Sequence, residues 1–461
     1  MSQDKNIEET IGRKIYFIGI GGIGMSAIAR YFKFQGKEVS GYDKTETVLT
    51  KELVAEGIPV HYEDNVALVP KDADLVVYTP AIPADHKELQ FFRDNKYRLF
   101  KRSEVLGLIT SSSFNICVAG THGKTTISTM IAHILRHSGY GCNAFLGGIA
   151  VNYNSNYWSD PRNVCVVEAD EYDRSFLKLN PDIAVITAMD ADHLDIYGTA
   201  EAMEEAFIGF SKKLKPGGLL ISKFGLSRDK SLGGAKRIRY SLQNDKADAY
   251  ATSIRISKGG YEYDVMKKDW MLSKVRLNMG GMHNVENSVA AISVAHELGI
   301  ENEKIKAAVE AFRGVKRRFE YIIRNDKLVF VDDYAHHPEE LRALISGAKT
   351  LFQGMKCTVI FQPHLYSRTR DLADGFGESL GLADEVLLLP IYPARELPIE
   401  GVTSKMIADR IKNAKVELVS KEELLKKLLE KAKAEKGIEL LIAAGAGDID
   451  ALLPEIKRII E

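Results

Sequence analysis

The segment Gly120-Thr121-His122-Gly123-Lys124-Thr125-Thr126 follows an apolar strand, Asn115 to Ala119, and opens a helical pattern, Thr126 to His137. No other feature confines the chain as tightly. A strand that feeds a glycine turn and then a helix aims several backbone N–H groups at one point, beside the positive end of the helix dipole. Gly123 lets the backbone approach a phosphate, Lys124 reaches β/γ oxygens, and Thr125 offers a hydroxyl to Mg²⁺. The strict GxxxxGK[ST] pattern needs glycine at position 118, where Val118 stands. The loop is a compact variant in the right strand–helix context, and it predicts a nucleotide-phosphate site spanning Gly120, Thr121, His122, Gly123, Lys124, Thr125 and Thr126.

Two further blocks share that plan. Lys14 to Ile20 runs into Gly19-Ile20-Gly21-Gly22-Ile23-Gly24, and Leu328 to Val331 runs into Asp332-Asp333-Tyr334-Ala335-His336-His337-Pro338. Helical patterns follow at Met25 to Phe34 and Glu339 to Lys349. Short apolar runs recur at Leu75 to Tyr78, Val164 to Val167, Ile183 to Thr187, Cys357 to Phe361 and Glu439 to Ala443. Near-continuous apolar strands alternating with helices predict parallel sheets covered on both faces. The expected class is α/β in three domains: an N-terminal Rossmann-like domain, a central P-loop sheet for a mononucleotide, and a C-terminal Rossmann-like domain. The Ser111 to Ser113 run and the turn Arg324-Asn325-Asp326 place the boundaries, giving residues 1–112, 113–322 and 323–461. The Lys/Glu-rich stretch Lys421 to Lys436 reads as a solvated helix face.

The 461 residues exceed one ordinary core. With 62 Lys plus Arg against 63 Asp plus Glu, the chain carries no general attraction for nucleic acid or an anionic membrane. Cys117, Cys142, Cys165 and Cys357 show no CxxC spacing. Cys117 and Cys165 lie in apolar runs, as small core residues of a reduced compartment do. Neither a signal peptide nor a run long enough to span a bilayer is present, so the expected address is the cytoplasm.

Other clusters bear chemistry. Gly19, Gly21 and Gly24 match GxGxxG after a strand, and Asp43 follows the next strand, Glu38 to Tyr42, where an acid meets a ribose hydroxyl. The same turn serves a nicotinamide dinucleotide or any other diphosphate. Glu168-Ala169-Asp170-Glu171, Asp190, Asp192-His193 and Asp195 gather at strand ends, as a Mg²⁺–nucleotide site requires. His283-Asn284 with Asn287 opens a helix, Val285 to Leu298, where the amides either cap it or meet an adenine edge. Arg317-Arg318-Phe319 puts a guanidinium near a domain boundary, within reach of phosphate.

Taken together these motifs, with Gln362-Pro363-His364, resemble the Mur ligases of peptidoglycan synthesis along essentially the whole chain. The resemblance implies an N-terminal UDP-sugar domain, a central ATPase domain and a C-terminal amino-acid domain. It implies ATP and Mg²⁺ as cofactors, and UDP-N-acetylmuramate and L-alanine as substrates. Lys124, Glu168, His193, Asn284, Asn287, Arg318 and Asp333 match the family's functional set. Thr125, Glu168 and His193 would hold metal; His283, Asn284 and Asn287 would surround adenine; Arg318 and Asp333 would complete the nucleotide site. Gly19, Gly21, Gly22, Gly24 and Asp43 would hold the UDP-sugar, and Tyr334, His336, His364 and Arg368 the amino acid. Phe207 stands where some members carry a carbamylated lysine, and Leu365 where an arginine often follows Gln-Pro-His. Rival readings are a ligase that attaches a tripeptide to the same UDP-sugar, an NAD-dependent oxidoreductase built on the first glycine turn, and a non-catalytic nucleotide switch.

Overall fold

A computed structural model describes residues 11–190, 194–394, 396–434 and 437–461. Its strands form three sheets. The first contains β1 (Lys14–Ile18), β2 (Glu38–Tyr42), β3 (Val60–His61), β4 (Leu75–Tyr78) and β5 (Leu99–Lys101) in the order β3-β2-β1-β4-β5, all parallel. The second is built on β6 (Phe114–Ala119), β7 (Asn143–Ala150), β8 (Ser155–Trp158), β9 (Val164–Glu168), β10 (Ile183–Ile186) and β11 (Leu219–Lys223). It continues through β12 (Lys236–Ser241), β13 (Ala249–Ser257), β14 (Gly260–Lys267) and β15 (Trp270–Leu277), in the order β15-β14-β13-β12-β11-β10-β6-β9-β7-β8. The third contains β16 (Glu320–Arg324), β17 (Val329–Asp333), β18 (Cys357–Phe361), β19 (Glu385–Leu388), β20 (Lys415–Leu418) and β21 (Leu440–Ala444), in the order β16-β17-β21-β18-β19-β20. The class is α/β, as the strand pattern predicts.

Full burial explains the apolar runs. Ile116 to Ala119 and Ile183 to Ile186 are buried along their length, because helices cover both faces of these parallel strands. Antiparallel pairs include β7 with β8 and β16 with β17, each at a sheet margin. Apolar runs mark no strand between β11 and the helix Met282–Glu297. There β12 to β15 alternate buried with exposed residues and carry Arg, Lys and Asp, so no continuous apolar run announces them. The stretch after Ser420 is likewise only half solvated: the helix Lys421–Ala432 buries Leu424 and Leu428, one turn apart on its inner face.

The chain divides into two compact units. One comprises Met1–Thr252, Asp264–Ser273 and Glu286–Val309, and the other Ser253–Tyr263, Lys274–Val285 and Glu310–Glu461. In the first unit Phe207 is fully buried, with its ring 5.3 Å from that of Phe176, in an apolar environment where a modified lysine would be desolvated. All four cysteines are buried and unpaired.

A buried polar network joins the first sheet to the helix Lys87–Asp94. Glu88 accepts a hydrogen bond from Tyr16 Oη (2.7 Å) and another from Asn65 N (3.1 Å), and lies 3.6 Å from His61. Burial pushes its carboxyl up to about 7. A carboxylate whose folded pKa is raised stabilises the fold only while protonated, so its contribution declines as pH rises from the unfolded value towards about 7. E88Q keeps the shape without the titration. Its apparent melting temperature relative to the parent should therefore climb between pH 5 and pH 8, by the equivalent of up to roughly 3 kcal/mol. A constant difference across that range would show that the Glu88 carboxyl pKa is not raised by folding.

Candidate active site

In the first unit β6 delivers the chain to Gly120, and the helix Lys124–His137 leaves from Gly123. Both glycines have positive φ, +134° and +79°. A Cβ on Gly120 would fall 2.1 Å from Thr187 Oγ1, and one on Gly123 would fall 2.9 Å from Asn287 Oδ1. The loop is sewn to the end of β10: Thr187 N donates to Ala119 O (3.0 Å), Thr121 N donates to Ala188 O (3.2 Å), and Thr187 Oγ1 donates to His122 O. Asn287 is thereby placed against the loop, whereas its residue pattern points to a helix cap or an adenine edge. The helix that carries it begins at Met282, three residues earlier than expected. Asn284 is consequently inside the helix, where its side-chain amide donates back to Gly280 O (2.7 Å). Asn284 and Asn287 are buried, and His283 is exposed.

The first helical turn carries Lys124 and Thr125. Lys124 Nζ donates to Gly120 O (2.6 Å) and to Glu171 Oε1 (2.7 Å). Thr125 Oγ1 donates to Glu168 Oε1 (3.0 Å), whose other oxygen accepts from Gly147 N (3.0 Å). Glu168 ends β9, the neighbour of β6 on the side away from β10. A hydroxyl and a carboxylate, both hard oxygen donors, fit Mg²⁺. Asp192, His193 and the side chain of Asp195 lie outside the described residues, so the third expected metal ligand is not placed. Asp190 is exposed, 4.0 Å from His122, and Asp170 lies 3.5 Å from Arg102. Sequence reasoning named Glu171 in the acidic cluster without giving it a role. Burial raises its carboxyl pKa, with Lys124 opposing the rise.

At the N-terminal glycine turn Tyr42 O accepts from Gly19 N (2.8 Å) and Ile20 N (2.9 Å), and Asp43 Oδ2 accepts from Gly21 N (2.7 Å). Gly22 N closes the turn on Gly19 O (3.2 Å), and the helix Ile23–Phe34 begins directly after. Asp43 thus shapes the turn itself. Arg102 reaches the first helical turn at Gly24, with Nη1 2.9 Å from the Cβ position there; no sequence motif pointed to it.

The second unit gathers the remaining residues. Asp333 Oδ2 accepts from Phe319 N (2.7 Å) and Oδ1 from Ala335 N (2.8 Å), and burial pushes its carboxyl up to about 6. Of the paired arginines, Arg317 is turned inward: it donates to Gly445 O and to Gly447 O (3.3 Å) and lies over the Tyr334 ring, 5.0 Å from its centroid. Arg318 is the exposed member. Tyr334, His336, His364 and Tyr392 follow one another ring to ring, with centroids 5.3, 6.3 and 5.9 Å apart. Among the described residues, Arg368 Nη1 and His364 Nδ1 are buried with no hydrogen-bond partner, polar groups of the kind that a hydrogen-bonding ligand would satisfy. Burial and the Arg368 charge lower the His364 pKa, which favours the neutral imidazole. Leu365 holds φ +71°, a strained conformation for a leucine, directly between these groups in the chain.

Family models match the chain in three segments. A Mur ligase family catalytic-domain model covers residues 14–113, a Mur ligase middle-domain model residues 118–295, and a Mur ligase glutamate-ligase-domain model residues 317–447. The UDP-N-acetylmuramate–L-alanine ligase of Flavobacterium johnsoniae is 48% identical over 97% of each chain, and that of Cytophaga hutchinsonii 50% identical over 97% of each. Among solved structures, the UDP-N-acetylmuramate-alanine ligase of Thermotoga maritima superposes with a TM-score of 0.80 at 30% identity, over 97% of this chain and 98% of that one. A murein peptide ligase of Psychrobacter arcticus shares the fold, with a TM-score of 0.67 at 22% identity over 97% of this chain and 99% of that one.

The loop geometry makes a sharp prediction. G120A adds a methyl inside van der Waals range of Thr187 and forces alanine to a positive φ, so the loop must part from β10. Titration with ATP should show affinity weakened by about 10-fold or more, on the order of 1.4 kcal/mol. Parent-like ATP affinity in folded G120A would show that the loop does not hold the nucleotide.

Proposed function

The chain belongs to the Mur ligase family, and on that premise we propose that it joins L-alanine to the lactyl carboxylate of UDP-N-acetylmuramate at the expense of ATP. The observation that carries the reading is the loop with its committed side chains: Lys124 braced on Gly120 O and Thr125 braced on Glu168, on a turn sewn to β10. The full-length likeness to alanine-adding ligases supports this reading over tripeptide addition and over a nicotinamide oxidoreductase. Residues 1–112 take the UDP-sugar, 113–322 the ATP and 323–461 the amino acid. Charge balance gives no reason for a nucleic-acid partner. No helix among the described residues is long and apolar enough to cross a membrane. We assign the enzyme to the cytoplasm.

The family resemblance implies a reaction in two steps. A lactyl carboxylate oxygen attacks the γ-phosphorus of ATP; the bond to the bridging oxygen breaks, and ADP leaves. Lys124 sets its ammonium against the β/γ oxygens, so charge on the transferring group meets a fixed cation rather than reorganising water. Thr125 and Glu168, with His193 as the family resemblance implies, would hold Mg²⁺, which supplies further neutralisation of phosphate charge. The alanine nitrogen then attacks the acyl carbon of the acyl phosphate; the carbon–oxygen bond breaks, inorganic phosphate departs, and the nitrogen loses a proton. Arg368 pairs with the alanine carboxylate, the neutral His364 accepts a hydrogen bond from its amino group, and Tyr334 and His336 line the approach. Gly19, Gly21, Gly22 and Gly24 offer backbone to the sugar diphosphate. Asn284, Asn287 and His283 border the adenine, and Arg318 offers an exposed cation to phosphate.

Mass spectrometry of the product tests the assignment. With ATP, Mg²⁺ and UDP-N-acetylmuramate, L-alanine should be added once, glycine and L-serine more slowly, and a tripeptide not at all. A UDP-sugar bearing the tripeptide, or none bearing alanine, refutes it. The metal assignment has its own test: E168Q should raise the Mg²⁺ concentration for half-maximal rate about 10-fold or more. An unchanged Mg²⁺ dependence would make Glu168 a purely structural brace for Thr125.

A further inference from the structure

Glu171 is an acid that the reaction as written does not use, yet it is 1% exposed and makes an ion pair with Lys124 at 2.7 Å. Its place is fixed from the backbone: Tyr197 Oη (2.6 Å) and Arg174 N (2.9 Å) both donate to Glu171 O. Glu168, on the same segment, binds Thr125 instead. The segment after β9 thus assigns one carboxylate to each reactive side chain of the loop. An ammonium carries three protons. Gly120 O takes one, Glu171 takes a second, and among the described residues no acceptor takes the third.

A need for stability does not account for this arrangement. Taking both charges out of water costs several kcal/mol per ion, and apolar replacement of such a pair is often neutral or stabilising. A fixed negative charge beside a triphosphate site also weakens nucleotide binding. What the pair does supply is geometry. Lysine has a long, flexible stem, and two acceptors fix its head where one leaves it free to swing. We propose that Glu171 is a positioning residue for phosphoryl transfer, holding the Lys124 ammonium so that its third proton is presented to the phosphoryl oxygens. It exchanges ground-state affinity for that orientation. The inference rests on the nucleotide site assigned above.

The two effects separate in E171Q, which keeps the size and an acceptor oxygen but removes the charge. ATP should bind several-fold more tightly in direct titration, while kcat falls by about 10- to 100-fold, the scale of a 1 Å misplacement. E171D keeps the charge and shortens the reach by one methylene, so affinity should match the parent while kcat falls. A purely structural role predicts a lowered melting temperature with affinity and kcat lost together, and that pattern overturns the proposal. So does a parent-like kcat in E171Q or, should E171Q not fold, in E171D. K124A distinguishes the two levels of failure. Full turnover in K124A would refute the nucleotide site itself; an inactive K124A beside a parent-like E171Q would refute only the role of Glu171.

Discussion

The close approach of the loop backbone to the end of β10 is the constraint from which the site follows. Gly120 lies so near Thr187 that no side chain fits between them, and hydrogen bonds on either side of that contact continue the β6–β10 ladder beyond the strands. The loop is therefore part of the sheet edge. The sheet fixes its backbone, and the first helical turn inherits that precision. On the other flank of β6, β9 ends in Glu168 and leads to Glu171. One neighbouring strand clamps the loop and the other supplies its carboxylates. Parallel sheets expose such an edge wherever strand order leaves a crevice at the carboxyl ends.

The second unit meets a different problem, which is to hold a bent backbone. Arg317 and Phe319 both sit at positive φ, +60° and +48°, with no glycine to ease the turn. Each such residue costs roughly 1–3 kcal/mol. Asp333 offsets this by accepting the Phe319 amide at 2.7 Å, a bond that contributes about 1.5–3 kcal/mol when the acceptor is charged. Arg317 adds its bonds to the carbonyls of Gly445 and Gly447, which tie the turn to the end of β21. The turn is a consequence of Asp333. That residue reads in sequence as a functional acid and in structure as the brace of the Arg-Arg-Phe segment; the exposed Arg318 depends on it for its place.

Much of this was legible from residues alone. β4 and β18 run as the apolar patterns predict, and the glycine loop falls between its expected strand and helix, because continuous burial leaves a continuous apolar record. β12 to β15 left no such record. Their half-exposed alternation with charged residues resembles a polar loop in a single sequence. Glu168 was legible as the last residue of an apolar strand, and its bond to Thr125 follows from β6 and β9 being neighbours. Glu171 was visible only as one acid among several. Its partner is Lys124, 47 positions away in the chain, and no local pattern encodes a pairing set by the sheet. Arg317 and Arg318 look alike in sequence; only the fold turns one inward and leaves the other exposed.

The two glycine turns differ in how far their residue types narrow the ligand. The central loop carries its own cation and hydroxyl, residue types that suit a metal-bound phosphate. The N-terminal turn carries only backbone, and Tyr42 O and Asp43 satisfy its leading amides internally. Its glycines accordingly answer to more than phosphate approach. At Gly24 a Cβ would meet the Arg102 guanidinium at 2.9 Å, and Arg102 lies 3.5 Å from Asp170 in the acidic segment after β9. A guanidinium beside the positive end of a helix is unfavourable unless an acid balances it, and Asp170 is that acid. Gly24 is therefore small for the sake of a side chain delivered by the helix Arg102–Ser111. Through it the first glycine turn and the segment bearing Glu168 and Glu171 are joined by one charged contact inside a single compact unit. The spacing GxGxxG records the steric requirement and is silent about its cause.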